Sequence, residues 1–139
     1  MKYYDLITPE GTKDLLFGEC AVRRNIEKTL LDLFCMNGYS EMITPGLEFY
    51  DVFNLNSHYF PQEDMYKLTD SKGRLLVMRP DSTLPIARVA ATRLRDAVLP
   101  LKLCYAQTVY RNEAALRGRS DETAQAGIEL IGSDTTMAD

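Results

Sequence analysis

Four polar residues carry groups from which a small-molecule site can be assembled: Asp81, Arg111, Gln125 and Glu129. Residues 121–131 read as a strand, and side chains along a strand alternate between faces. Thr123, Gln125, Gly127, Glu129 and Ile131 therefore share one face, opposite Ala124, Ala126, Ile128 and Leu130. The apolar set is expected to lie on helices. The polar set fits a sheet that merely faces water, but a glycine in mid-strand also marks the close approach of a ligand. Arg111 ends the preceding strand, where its planar guanidinium either reaches solvent or binds a carboxylate or phosphate at two points. Asp81 is either a helix N-cap or an acceptor for a cation. Acceptors for an ammonium together with a guanidinium for the opposite charge are what a free amino acid demands.

Other chemistry is poorly represented. Cys20, Cys35 and Cys104 show no C-x-x-C spacing and lie among apolar residues, so they read as reduced small hydrophobes. The single histidine, His58, has no Cys or His at ligand spacing, which leaves no zinc site of the usual kind. No cofactor is called for. Leu116 to Ser120 concentrates arginine and glycine, yet a chain of net charge −4 offers no basic face for nucleic acid, and a solvated hairpin tip is the better reading.

The elements that must position these groups follow from periodicity. Val22, Ile26, Leu30, Leu33 and Phe34 recur at helical spacing and predict one long amphipathic helix over Glu19–Asn37, ended by Gly38. Tyr39 to Ile43 reads as a short strand stopped by Thr44-Pro45. Asn54 to Asp64 is polar and aperiodic, a loop. Met65–Asp70 and Arg74–Arg79 flank Ser71-Lys72-Gly73 as a hairpin. A second helix follows with Asp81 or Ser82 as N-cap, Pro85 in its first turn and Ile86, Val89, Ala90 and Leu94 on its buried stripe. Leu101–Arg111 and Asp121–Ile131 are paired strands joined through Asn112–Ser120. The order predicts an α+β fold with a largely antiparallel sheet.

The composition of the 139 residues, 45% hydrophobic and 26% charged, belongs to an ordinary globular domain and excludes collagen, coiled coil and disorder. One domain over 1–139 is expected, since a chain of this length can bury roughly two-thirds of its unfolded surface. No segment approaches a membrane span and the start lacks a signal-peptide pattern, so the expected location is the cytosol.

Four segments, in order, carry a resemblance: Pro9-Glu10-Gly11-Thr12-Lys13-Asp14-Leu15-Leu16; Gly38-Tyr39-Ser40-Glu41 through Thr44-Pro45-Gly46-Leu47-Glu48; Met65-Tyr66-Lys67-Leu68-Thr69-Asp70 through Arg79-Pro80-Asp81-Ser82-Thr83; and Tyr110-Arg111-Asn112-Glu113 through Gly118-Arg119 to Gln125-Ala126-Gly127-Ile128-Glu129-Leu130-Ile131-Gly132. The set resembles the class II aminoacyl-tRNA synthetase core of the histidine type. Two families share it: histidine–tRNA ligase, and the regulatory subunit of short-form ATP phosphoribosyltransferase, which is similar to a synthetase without its own chemistry.

The resemblance implies that Asp81, Thr83 and Gln125 face the amino group of a histidine-like ligand, Glu129 its imidazole and Arg111 its carboxylate. Glu113, Arg119, Asp121 and Thr123 then belong to a vestigial motif-2 loop. The ligase pattern places a cation and an aromatic where Asp121 and Thr123 stand. Exchanging a cation for a carboxylate beside a triphosphate changes a contact worth roughly 4 kcal/mol at about 4 Å and an effective dielectric near 20. Loss of base stacking removes about 1–3 kcal/mol more. The expectation is a non-catalytic regulatory subunit in histidine biosynthesis that docks the catalytic subunit, responds to histidine and forms a homodimer through the motif 1-like helix and strand. The alternatives are a fragment of a histidine–tRNA ligase and a stand-alone amino-acid-binding or dimerisation module. Thr135 to Asp139 reads as the start of a helix cut short, so the sheet is expected to be incomplete.

Overall fold

The computed structural model describes residues 3–54, 60–112 and 120–134. The chain runs α1 (Phe17–Met36), β1 (Ser40–Glu41), β2 (Leu47–Phe49), α2 (Asp51–Asn54), β3 (Lys67–Thr69), β4 (Leu75–Met78), α3 (Thr83–Ala91), β5 (Leu101–Tyr110) and β6 (Glu122–Ile131). It is α+β, with two three-stranded sheets in the orders β1-β5-β6 and β2-β4-β3. All pairings are antiparallel except β1 with β5, which run parallel.

Helix α1 begins two residues before the expected start and ends where glycine dictates. Gly38 adopts φ +82, a left-handed conformation open to glycine at no steric cost, while Gly38 N–H donates to Cys35 O (3.0 Å) and Tyr39 N–H to Phe34 O (3.1 Å). Its polar face is held by Arg23–Glu27 and Lys28–Asp32 pairs at i,i+4. Its apolar stripe is less covered than amphipathicity predicts. Leu30 and Phe34 are half-buried, but Val22, Ile26 and Leu33 remain 60%, 54% and 52% exposed. The apolar face of β6 shares this condition. Ala124, Ala126 and Ala106 form the floor of a groove of about 660 Å³ whose wall is Val22, Ile26 and Leu30, and Ile128 is exposed beyond it. The face expected to lie on helices meets a single helix that stands off it.

The hairpin β3–β4 forms in the predicted place with Leu68 opposite Leu76, and Asp70 Oδ1 accepts from Lys72 N–H and Arg74 N–H (both 2.9 Å) to close the turn. Strand β2 joins it on the other edge, Leu47 opposite Met78. In the sequence β2 is invisible, because three residues after Pro45-Gly46 are too few to display alternation. The expected strand Tyr39–Ile43 shrinks to Ser40–Glu41, although Met42 N–H still donates to Cys104 O (2.9 Å).

Two apolar clusters hold the layers. Phe53, Met65 and Val77 pack with Tyr50, Val52, Phe60 and Leu84; Ile86, Leu103 and Tyr105 pack with Met42, Leu94, Leu101 and Ile131. Ile86 is the fully buried member of the α3 stripe, and Leu94 contributes from the turn after the helix, which ends at Ala91. The sheets are joined at Arg79. Its backbone carbonyl accepts from Tyr110 N–H (2.9 Å), and its side chain donates to Thr108 O (2.6 Å), Thr44 O (2.5 Å) and Gln107 Oε1 (3.1 Å).

The cysteines divide. Cys104 is buried, and burial first of all pushes its thiol up to about 11, whereas Cys20 and Cys35 are exposed rather than sunk among apolar neighbours. Helical spacing around a cysteine does not guarantee a buried face when the helix itself is half-covered. His58 and residues 135–139 lie outside the described residues.

Candidate functional site

The ten-residue β5–β6 ladder runs from Leu101 opposite Ile131 to Tyr110 opposite Glu122, and Arg111 N–H donates to Asp121 O (2.8 Å) at its open end. Directly opposed residues point to the same face, so Gln125 and Glu129 look towards the start of α3. There they meet a closed polar net. Asp81 Oδ2 accepts from Thr83 N–H (2.8 Å) and Asp81 Oδ1 from Gln125 Nε2 (2.9 Å). Gln125 Oε1 accepts from Ser82 N–H (3.0 Å), and Thr83 Oγ1 donates to Glu129 Oε1 (2.7 Å). The N-cap residue is Ser82, whose side chain makes no capping bond; Asp81 performs the capping from one position earlier. Asp81 is thus a helix cap as well as a predicted site residue.

Arg111 reaches the same place from β5. Its Nε donates to Pro80 O (2.8 Å) and its guanidinium stacks 5.5 Å from the centre of the Phe60 ring. Among the described residues one of its five N–H groups is committed to a hydrogen bond in this way, through Nε. The structure therefore brings all five predicted ligand-binding residues, Asp81, Thr83, Arg111, Gln125 and Glu129, around the loop 80–83. A pocket of about 380 Å³ opens beside two of them, Arg111 and Gln125, which line it with Val109, Ser120, Asp121, Thr123 and Ala124; Asp81, Thr83 and Glu129 are not among its lining residues. It holds one guanidinium, one carboxylate and an amide, a donor and acceptor set suited to a small zwitterion.

Thr123 is an exposed member of that lining, with Oγ1 donating to Ser120 O (3.1 Å). Asp121 is buried and accepts a hydrogen bond from the Tyr66 hydroxyl. Glu113 and Arg119, with the Leu116–Arg119 run, lie outside the described residues. Among the described residues no group of three or more His, Cys, Asp and Glu is placed to hold a metal ion.

The gap at Gly127 is not open to a ligand. Tyr105 is its direct cross-strand partner, and a Cβ on Gly127 would lie 2.6 Å from the Tyr105 hydroxyl oxygen. The tyrosine ring occupies the missing volume and carries its hydroxyl to Thr83, while burial first of all holds the phenol above its usual range. The sequence contained the signal: six residues back from Arg111 and six forward from Asp121 give Tyr105 and Gly127. Gly127→Ala is expected to lower stability by about 1–3 kcal/mol, the range for overpacking, read as a lower urea midpoint; an unchanged midpoint would mean that the ring has room to move.

Tyr66 is a second residue that sequence reasoning missed, and its partner stands 55 positions away with no local sign of the pairing. Its hydrogen bond to Asp121, then burial, push the phenol from 10.0 up to about 12. A raised pKa in the folded state contributes stability that is complete below about 10 and is lost as pH rises towards about 12. Phenolate absorbance near the alkaline end is expected to contain a late component that Tyr66→Phe removes. If the variant titrates like the parent, the bond does not hold the proton.

A family model described as histidyl-tRNA synthetase matches residues 11–139. The chain belongs to the histidyl-tRNA synthetase family. The class II synthetase-like fold and the resemblance carried by the four segments are thereby borne out. Within this family the chain is 49% identical over 131 residues to the ATP phosphoribosyltransferase regulatory subunit of Clostridium kluyveri, covering 94% of this chain and 34% of that protein. The regulatory subunit of Clostridium acetobutylicum is 50% identical over 131 residues, covering 94% of this chain and 32% of that protein. Among solved structures, an ATP phosphoribosyltransferase regulatory subunit/histidyl-tRNA synthetase from Bacillus halodurans C superposes with a TM-score of 0.84 at 36% identity, over 97% of this chain and 34% of that one. Apo histidyl-tRNA synthetase of S. aureus gives 0.75 at 27%, over 92% and 30%. The chain spans about a third of the length of the curated relatives it matches. Among the described residues no helix is long and apolar enough to cross a membrane.

Proposed function

We propose that this chain is the site-bearing part of a regulatory subunit of ATP phosphoribosyltransferase, acting in histidine biosynthesis in the cytoplasm and performing no chemistry of its own. The observation that carries this reading is the 49–50% identity to relatives named as that regulatory subunit. Arg111 and Gln125 in the lining of the pocket support it, with Asp81, Thr83 and Glu129 joined to Gln125 through the polar net at the start of α3. Arg111 meets the carboxylate of histidine, Asp81, Thr83 and Gln125 meet its ammonium, and Glu129 meets its imidazole. Asp121 and Thr123 in the pocket wall offer neither a cation for a triphosphate nor a ring for a base.

The subunit docks the catalytic phosphoribosyltransferase, supports its activity and transmits feedback by histidine, which requires two states of different histidine affinity. Residues 1–139 fold as one domain of it. It forms a homodimer through α1 and β1, whose stripe Val22, Ile26 and Leu33 is exposed. Reconstitution tests the reading. The intact subunit is expected to raise the rate of the catalytic subunit and to make that rate sensitive to histidine. If it leaves the rate unchanged and charges tRNA with histidine instead, the assignment is wrong.

A further inference from the structure

The wall of the pocket at Ser120–Asp121 is fastened to the N-terminal part of the chain. Residues Thr8 to Thr12 form a tight turn in which Thr12 N–H donates to Pro9 O (3.1 Å), Thr12 Oγ1 to Pro9 O (2.8 Å) and Thr8 Oγ1 to Thr12 O (3.2 Å). The carbonyl of Gly11 accepts from Asp121 N–H (2.7 Å) and from Ser120 Oγ (3.0 Å). The Asp121 carboxylate lies flat against the Gly11 backbone, so closely that a Cβ there would overlap it, and Gly11 takes φ +78. Any side chain at position 11 is therefore excluded twice, by volume and by conformation. Tyr66, immediately before β3, completes the arrangement with its hydroxyl on Asp121.

Three segments far apart in sequence, the turn 8–12, Tyr66 and the start of β6, thus converge on Asp121, a residue that is 8% exposed and also lines the pocket. A buried carboxylate there has two effects. It braces the pocket wall, because it accepts from the Tyr66 hydroxyl and fills the space against Gly11, while the turn itself is bonded through Asp121 N–H and Ser120 Oγ. It also adds negative charge within a site whose described lining has Arg111 as its cation and whose neighbours Asp81 and Glu129 are acidic. A polyanion entering that pocket meets repulsion that a zwitterion does not.

We propose that Asp121 is a clasp that sets the selectivity of this pocket: by joining Tyr66 to the turn at Gly11 it holds the N-terminal turn against the pocket wall, admitting a small zwitterion and turning away polyanions such as nucleoside triphosphates. The zwitterion side of this statement rests on the amino-acid reading of the pocket; the clasp and the exclusion of polyanions do not.

The test uses the intact subunit and the variants Tyr66→Phe and Asp121→Asn. Tyr66→Phe removes one hydroxyl and leaves the carboxylate in place, so it serves if Asp121→Asn does not fold. Without ligand, amide exchange at Thr12 and Asp121 is expected to accelerate at least tenfold in the variants, with the β5–β6 ladder unchanged. Titration with ATP is expected to give no measurable binding at millimolar concentration for the parent and measurable binding in that range for Asp121→Asn, which removes the charge, whereas Tyr66→Phe, which keeps it, should behave like the parent. Unchanged exchange at Thr12 and Asp121 overturns the clasp. Equal ATP affinity in the parent and Asp121→Asn overturns its role in selectivity. Failure of L-histidine to bind the parent overturns the amino-acid reading alone, and the exchange and ATP measurements then still decide on Asp121.

Discussion

Arg79→Ala is expected to lower the unfolding free energy of the intact subunit by about 3–5 kcal/mol, read from urea denaturation. The Arg79 side chain is buried, and desolvation first of all lowers its pKa from the usual guanidinium range. Its partners are Thr108 O and Gln107 Oε1 of β5 and Thr44 O of the connection between β1 and β2, so truncation strands three acceptors together, at about 1–3 kcal/mol each. Gln107 cannot compensate, since its Nε2 already donates to Thr44 Oγ1 (3.0 Å) and its Oε1 also accepts from Thr44 N–H (3.2 Å). Arg79→Lys should recover only part of the loss, because an ammonium on a flexible stem cannot reproduce the planar fork that spans three acceptors. A loss below about 1 kcal/mol for alanine would mean that water replaces the guanidinium without difficulty, against the usual cost of stranding buried acceptors.

The second large effect concerns binding. Arg111→Ala is expected to weaken L-histidine by about 3 kcal/mol, roughly a hundredfold, because a charge-assisted two-point contact to the carboxylate is lost in a partly enclosed site. Calorimetric titration of the intact subunit measures it directly. Arg111→Lys should rescue little, since lysine loses both the fork and the stacking on Phe60. Stability should change far less, by about 1 kcal/mol, the worth of the single bond from Nε to Pro80 O. An affinity within threefold of the parent would remove Arg111 from the ligand.

The parts of the fold that were legible are those with a long or punctuated local pattern. Ten alternating residues on each side gave β5 and β6, Asn37-Gly38 placed the end of α1, and Pro85 fixed the start of α3. Strand β2 has three residues and no pattern. Half-coverage of α1 was not legible either, since amphipathicity states which face prefers burial and not whether a partner is present. In the candidate site, the five residues predicted to bind a ligand converge because parity along β5 and β6 and the helix start are local properties. The pairing of Tyr105 with Gly127 was legible by counting along the ladder; what the sequence concealed was long-range, that Asp121 is tied to Tyr66 and Gly11.

The stretch Arg79-Pro80-Asp81-Ser82 is buried throughout although it belongs to neither helix nor strand. Its polar backbone is satisfied from outside: Arg79 N–H donates to Gly46 O (3.0 Å), Pro80 O accepts from Arg111 (2.8 Å), and Ser82 N–H donates to Gln125 (3.0 Å). A segment anchored at every turn by groups of other elements is preorganised before any ligand arrives. Recognition at this rim then involves little loss of conformational entropy, and it should resemble a key entering a cut lock more than a hand closing on its object.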